Sequence, residues 1–316
     1  MPRTWSPCGS ARSCLNKMQT DKALDSVSSD VIAANVEMYR SVAKNYDRGW
    51  NSVFGQDLDP ALERDLNEIA AGFNSTEGPL RCLDCGAGTG AITLNMLERG
   101  WSVTALDVSS EMLSLLEKKI AERGRNAILI NEPVERFLAR PGPTYHLIGF
   151  NSVLHHLYRY AEVIDLAINR LAAGGFLYSN VDPVIPTRPL LTEVFDSFDT
   201  LLAKILHERS DLIPGTVRRL RKLIGKSDAA YGRKVATAGD LAEFHARSGV
   251  DDLELLRLLK ARGLTIVEHS RYPMARTPAT RSMNKLFKFR QEFKIIAQWP
   301  RNGSSRSNLG PSGLSD

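Results

Sequence analysis

The chain has 316 residues, enough for one large α/β domain with an insertion or for two small domains. With 43% hydrophobic residues it can bury a sizeable core, and no apolar run approaches the ~20 residues a membrane-spanning helix needs, so a soluble, cytoplasmic protein is expected. A net charge of +5 and a pI near 9.0 are mildly basic and do not by themselves call for nucleic acid.

Residues 1–30 are rich in Ser, lack an apolar period and read as a disordered tail. Arg3, Arg12 and Lys17 precede the first acid, Asp21, as in a transit peptide, but Trp5, Pro7 and the missing amphipathic face argue against one, and Met18 is an alternative start. A helical cap is expected over 31–76. Its first helix, Val31–Tyr46, places Val36, Tyr39, Val42, Ala43 and Tyr46 on one side. Asp59-Pro60 opens a second helix, with Leu62, Leu66 and Ile69 as its buried stripe.

An α/β core follows over 77–183, alternating strand and helix. The strands are Leu80–Cys85, Ser102–Leu106, Ala127–Ile130, His146–Phe150 and Phe176–Asn180. Helices lie between them at Ala91–Arg99, Ser110–Arg123 and about Tyr160–Leu171, the last closed by Ala173-Gly174-Gly175. After Val181-Asp182-Pro183 the rhythm breaks into a helical insertion, 184–240, apolar from Leu190 to Leu206 and basic over 218–234. The core pattern resumes over 241–300 with a helix, Asp252–Arg262, and strands Thr265–His269 and Phe293–Trp299, before a Ser/Gly-rich tail over 301–316. The expected fold class is α/β: a Rossmann-like, doubly wound, mostly parallel seven-stranded sheet with helices on both faces. Of four cysteines, at 8, 14, 82 and 85, the last two stand three apart on a strand, point to opposite faces and read as core rather than as a redox or metal pair.

The chain is organised around Leu80–Gly90. A buried strand runs into Gly86-Ala87-Gly88-Thr89-Gly90 and then a helix start, the arrangement of a nucleotide site. Asp107 ends the next strand, where a doubly wound nucleotide domain sets an acid against ribose hydroxyls. A helix cap is the other explanation of Asp107, although Ser109 and Ser110 stand ready for that task. The spacing is G-x-G-x-G rather than the dinucleotide G-x-G-x-x-G, and Asp84 precedes it inside the strand. An acid there repels a diphosphate and suits a ligand with an ammonium group, which disfavours an NAD-dependent dehydrogenase.

Leu83–Gly90 resembles the first motif of class I S-adenosylmethionine-dependent methyltransferases, closest to the small-molecule branch whose fourth motif reads LHH. Leu106–Leu113, Tyr145–Leu157 and Leu171–Gly175 resemble later motifs in the same order. The resemblance implies S-adenosyl-L-methionine as cofactor, with Asp84, Gly86, Gly88 and Gly90 around its methionine part. Asp107 would hold the ribose, and Val108 and Met112 would pack on the adenine. Glu132 and Pro133, where the family usually has Asp-Ala, would face the adenine amino group. Asn151 would border the methyl side, and Tyr39 and Tyr46 would close over the cofactor. Core packing explains the spacing of Tyr39, Tyr46 and Met112 equally well. Of the two histidines, His155 has the better claim to the pocket and is the candidate general base, and His156 reads as locally packed. Asp182 and Tyr145 are weaker candidates for the base, and no metal motif is present.

The expected function is methyl transfer to a small metabolite at oxygen, nitrogen or carbon. An RNA methyltransferase using the basic insertion, and a non-catalytic cofactor-binding subunit, are the alternatives. Nucleic acid is disfavoured because only Tyr231 interleaves with the basic residues. The oligomeric state, monomer or homodimer, stays open.

Overall fold

Buried side chains alternate along the strands, and the alternation divides the core in two. On the first strand Cys82 packs into one apolar cluster, while Leu83 and Cys85 pack into the other. The two cysteines therefore lie on opposite faces, both fully buried, and burial raises both thiols well above their ordinary pKa. Strands buried on both faces are what a parallel sheet covered by helices requires.

The computed structural model describes residues 27–40, 43, 56–73, 78–207, 245 and 248–301. Tyr46, the basic stretch 218–234 and the expected tails apart from residues 27–30 and 301 lie outside the described residues; 27–30, expected as part of the tail, are helical. The strands are β1 (Arg81–Cys85), β2 (Ser102–Asp107), β3 (Ile128–Asn131), β4 (Tyr145–Asn151), β5 (Leu171–Pro183), β6 (Thr265–Pro273) and β7 (Gln291–Gln298). They form one sheet in the order β3-β2-β1-β4-β5-β7-β6, parallel except for β7, which runs antiparallel to both neighbours.

Among the described residues, helices α1 (27–40), α2 (Gln56–Ala71), α3 (Ala91–Glu98) and α4 (Ser110–Glu122) precede β3. After it come α5 (Val134–Ala139), α6 (Tyr160–Ile168), α7 (Pro189–His207), α8 (Asp252–Ala261) and α9 (Pro278–Phe287). One face of the sheet is covered by α2, α3 and α4 through Leu66, Ile69, Met96 and Leu116. The other is covered by α5, α6 and α8 through Leu138, Ile164 and Leu255. Removing such a side chain from water is worth about 1.5–3 kcal/mol, so these stripes fix which face each helix takes.

Several boundaries differ from the sequence-based expectation. Helix α2 begins at Gln56, so Pro60 lies inside it and forgoes one early intrahelical bond. Helix α6 stops at Ile168, and the expected Ala173-Gly174-Gly175 turn belongs to β5, because buried Leu171 is already paired with Tyr145. Helix α9 was not expected. Its start is a capping box in which Thr277 and Thr280 exchange side-chain and backbone bonds, a variant of the Ser/Thr-x-x-Glu pattern with a hydroxyl in place of the acid. The apolar half of the insertion is helix α7, as its periodicity indicates, and it is fastened to the core. Asp196 of α7 pairs with Arg290 at 3.1 Å, and buried Asp199 accepts from the Arg276 backbone N–H at 2.9 Å and from the Thr280 hydroxyl.

Gly90 shows how tightly the glycine turn is packed. It has φ 99°, and a Cβ there would lie well inside contact distance of Leu116 Cδ1 on α4. Gly90→Ala is expected to lower unfolding free energy by about 2 kcal/mol or more, from left-handed strain plus overpacking, read as a shifted midpoint in urea with an unchanged slope.

Candidate active site

The carboxyl ends of β1, β2 and β4 meet at one edge of the sheet and enclose a cavity with α1 as its outer wall. Ligands gather at this edge in open α/β sheets. Of the sequence-predicted residues, Tyr39, Asp84, Gly86, Gly88, Asp107, Val108, Met112 and Asn151 line it. Gly90, Glu132, Pro133 and His155 do not.

Asp107 is 8% exposed and uses both carboxylate oxygens. Oδ2 accepts from the Gly88 N–H at 2.8 Å, and Oδ1 accepts from the Ser109 N–H at 2.8 Å. Ser109 is itself the cap of α4, its Oγ accepting from the Met112 N–H at 3.2 Å. Burial raises the Asp107 pKa, and these backbone donors oppose the rise.

Asp84 is buried more deeply. Its Oδ2 accepts from both the backbone N–H and the hydroxyl of Thr93, at 3.1 and 2.7 Å, in the first turn of α3. The residue before that helix, Gly90, has no side chain to cap with, so the carboxylate of β1 does so from across the turn. Burial lifts Asp84 to about 6, against the lowering effect of Thr93.

Two assignments change position. The acid that reaches the cavity after β3 is Glu135, held above its ordinary pKa by burial, whereas Glu132 is turned away and paired with Arg140. The reason is the phase of α5: Pro133 caps it, Val134 packs into the core, and the next position turns to the cavity. The histidines are exchanged as well. They share a 3-10 turn, Leu154–His156, which points them in different directions. His156 lines the cavity and its Nε2 lies 2.7 Å from the Tyr39 hydroxyl. His155 is 9% exposed, and its Nδ1 lies 2.7 Å from Asp182 Oδ1, which also accepts from the His155 backbone N–H at 3.1 Å. Burial lowers His155 to about 3 and raises Asp182 to about 7, so the pair is held with as little charge as possible. The rings of His155 and His156 are 4.0 Å apart.

The sequence also did not single out Ile32 and Asn35 of α1, which face the same cavity. Asn35 carries a buried Oδ1 with no partner among the described residues. An orphaned acceptor of this kind calls for a donor from a ligand. Gly88, with φ 52°, has no atom of the described residues other than its chain neighbours within 4 Å of where a Cβ would be, so its backbone is open to close approach. Ser152 and Val181 are non-glycine residues with positive φ, 59° and 63°, at the ends of β4 and β5. They are joined through the Ser152 N–H bond to the Asn180 carbonyl at 2.8 Å. Strain of about 1–3 kcal/mol at each such residue collects where geometry serves a site.

Residues 83–177 match the family described as a methyltransferase domain. The match covers strand β1 from Leu83, strands β2, β3 and β4 and the first part of β5. The chain is 26% identical over 152 residues to a ubiquinone biosynthesis O-methyltransferase of Xylella fastidiosa, covering 47% of this chain and 62% of that protein. It is 30% identical over 134 residues, 41% of its length, to 2% of a probable non-canonical nonribosomal peptide synthetase of Salinispora arenicola. The chain thus spans less than two thirds of the length of these relatives. The fold is shared with a magnesium protoporphyrin IX methyltransferase of Synechocystis solved with bound SAH, at a TM-score of 0.54 and 12% identity over 85% of this chain and 99% of that one. S-adenosylmethionine is the cofactor that the sequence resemblance implies. The residues present fit it: an orphaned acceptor on Asn35, an open backbone at Gly88, and an Asp84 whose Oδ2 alone is engaged by the protein among the described residues.

Among the described residues no cluster of His, Cys, Asp or Glu could hold a metal ion, and no helix is long and apolar enough to cross a membrane.

The positions of the two acids after β3 make separate predictions. Glu135→Gln is expected to weaken binding of S-adenosylhomocysteine by about 1 kcal/mol, the scale of one hydrogen bond. Glu132→Gln is expected to leave it unchanged, both measured by titration calorimetry.

Proposed function

We propose that the protein transfers a methyl group from S-adenosylmethionine to a small-molecule acceptor. The observation that carries this reading is the pair of buried carboxylates, Asp84 and Asp107, converging on the open backbone of the glycine turn. In this reading Asp84 attracts the ammonium of the cofactor and Asp107 accepts from its ribose hydroxyls. Each carboxylate oxygen has more than one lone pair, so Asp107 can do so while keeping Gly88 and Ser109. Val108 and Met112 form an apolar wall for the adenine, and Asn35 and Glu135 supply acceptors at the rim. Tyr39, bonded to His156, closes the outer side.

When bound, the cofactor supplies an electrophilic methyl group, and the protein supplies alignment and exclusion of water. Where the acceptor must lose a proton, His156 at the cavity wall is the proposed base in place of His155, with the Tyr39 hydroxyl at its Nε2.

The core test is calorimetric: S-adenosylhomocysteine should bind, and NAD should not. Tight NAD binding without S-adenosylhomocysteine binding would reverse the reading. Asp107→Ala is expected to cost about 1.5–3 kcal/mol of cofactor affinity through lost charged hydrogen bonds. The Asp84 carboxyl gives a pH dependence. Its raised pKa, about 6, means that it is ionised above that value and neutral below it. A cation favours the ionised form, so affinity should be constant above pH 6 and fall by up to about tenfold per unit below it. Asp84→Asn should bind weakly throughout and flatten this component of the profile.

A further inference from the structure

The large apolar side chains that stay exposed are not scattered evenly. Among the described residues there are ten, and six of them lie on two helices: Leu190, Leu191, Val194 and Phe198 on α7, and Leu286 and Phe287 at the end of α9. Leu190 is 77% exposed and Leu286 75%. Single exposed apolar residues are ordinary, whereas a concentration of this kind marks a surface that meets something.

The two groups form one surface. Leu190, Val194 and Phe198 are four apart and stand in one row along α7, with Leu191 in the next row, one turn before buried Phe195. The Phe195 ring stacks on Phe289 at 5.3 Å, and Phe289 stacks on Phe287 at 5.4 Å, so a run of rings carries the surface from α7 to the end of α9. The Thr192 hydroxyl fastens the same place, donating to the Phe289 carbonyl at 2.5 Å.

The rim of this surface is positive. Arg188 stands just before α7, Lys285 precedes Leu286, and Lys288 follows Phe287. All three are exposed, and no carboxylate among the described residues pairs with any of them. Of the acids of α7, Asp196 and Asp199 are committed to Arg290 and Arg276. The third, Glu193, lies about 100° round the helix from Val194, off the apolar row. Helix α9 contains no acid.

We infer that this face of α7 and α9 docks on a lipid bilayer with anionic headgroups, with α7 lying in the interface. A long helix with an apolar row and cations beside it rests its aliphatic and aromatic side chains among acyl chains and its charges among headgroup phosphates. A second copy of the chain fits less well. In a twofold contact the face meets itself, and three cations would oppose three. Helix α7 follows the carboxyl end of β5, on the edge of the sheet where the cofactor cavity opens, so docking brings that edge to the lipid.

The test is co-flotation of the full chain with vesicles of phosphatidylcholine alone, or of phosphatidylcholine and phosphatidylglycerol in equal parts. Binding is expected to the mixed vesicles, about tenfold or more weaker to phosphatidylcholine alone, and reduced by added salt. Lys285→Gln with Lys288→Gln should weaken binding about 25-fold, roughly fivefold for each charge. Leu190→Gln, at an exposed position, should weaken it severalfold without affecting folding, and Leu190→Gln with Phe287→Gln by about tenfold or more. Lys118→Gln with Lys260→Gln removes the same charge from exposed positions on α4 and α8, and Leu253→Gln removes an exposed apolar side chain from α8; both should bind as the unaltered chain does. Binding to neither kind of vesicle, equal binding to both, binding that survives the α7 and α9 substitutions, or equal loss in the controls would each overturn the inference. So would a dimer in sedimentation equilibrium, found in place of vesicle binding, that Leu190→Gln with Phe287→Gln dissociates.

Discussion

The carboxylate of Asp107 lies where four chain segments meet, and each of its oxygens holds one of them. Oδ2 fixes the glycine turn through Gly88, and Oδ1 fixes the entry to α4 through Ser109. The Asn131 side chain of β3 donates to the Asp107 carbonyl at 2.9 Å, and the turn is tied back to β2 a second time by the Ala87 N–H on the Leu106 carbonyl at 2.7 Å. Burying a carboxylate is costly unless donors surround it. Here the donors are backbone N–H groups that would otherwise be orphans of a turn and a helix start. The same atoms thus stabilise the strand–turn–helix junction and leave a carboxylate at the cavity wall, so the site is a consequence of how the junction is held together.

A second constraint acts at the end of β5. The register shift between Asn180 and Asp182 inserts Val181 as an extra residue, with a φ that a β-branched side chain rarely adopts. Without it, residues two apart on a strand would share a face. With it, Asn180 reaches Tyr178 and Tyr272, and Asp182 reaches His155. One strained residue therefore distributes two polar side chains to two different tasks along the same edge. The neighbouring strain at Ser152 places a comparable break at the end of β4, and the two breaks are hydrogen-bonded to each other.

These features explain which parts of the molecule could be read from sequence. The glycine turn, Asp84 and Asp107 are local in the chain, and their roles follow from spacing along strands whose direction is set by hydrophobic burial. The sheet was legible for the same reason, and so was the opposite-face placement of Cys82 and Cys85. Misplaced assignments concern residues whose direction depends on a single step of rotation. Glu132 and Glu135 differ by the phase of a six-residue helix, and His155 and His156 by one position in a 3-10 turn. No periodicity builds up over so few residues. Asn35 was not legible because its importance comes from lacking a partner, a property of the folded neighbourhood. Helix α9 escaped because its cap uses Thr280 in place of an acid.

The stretch that matches the methyltransferase domain ends at Leu177, and α7, α8, β6, α9 and β7 come after it. That later part is nonetheless well fixed. Asp196 and Asp199 of α7 hold Arg290 at the start of β7 and the Thr277–Thr280 cap of α9. Such anchors, made by the half-buried Asp196 and the buried Asp199 on a helix that begins the insertion, set the position of α9. A surface held by several charged hydrogen bonds changes only by substitution, not by relaxation.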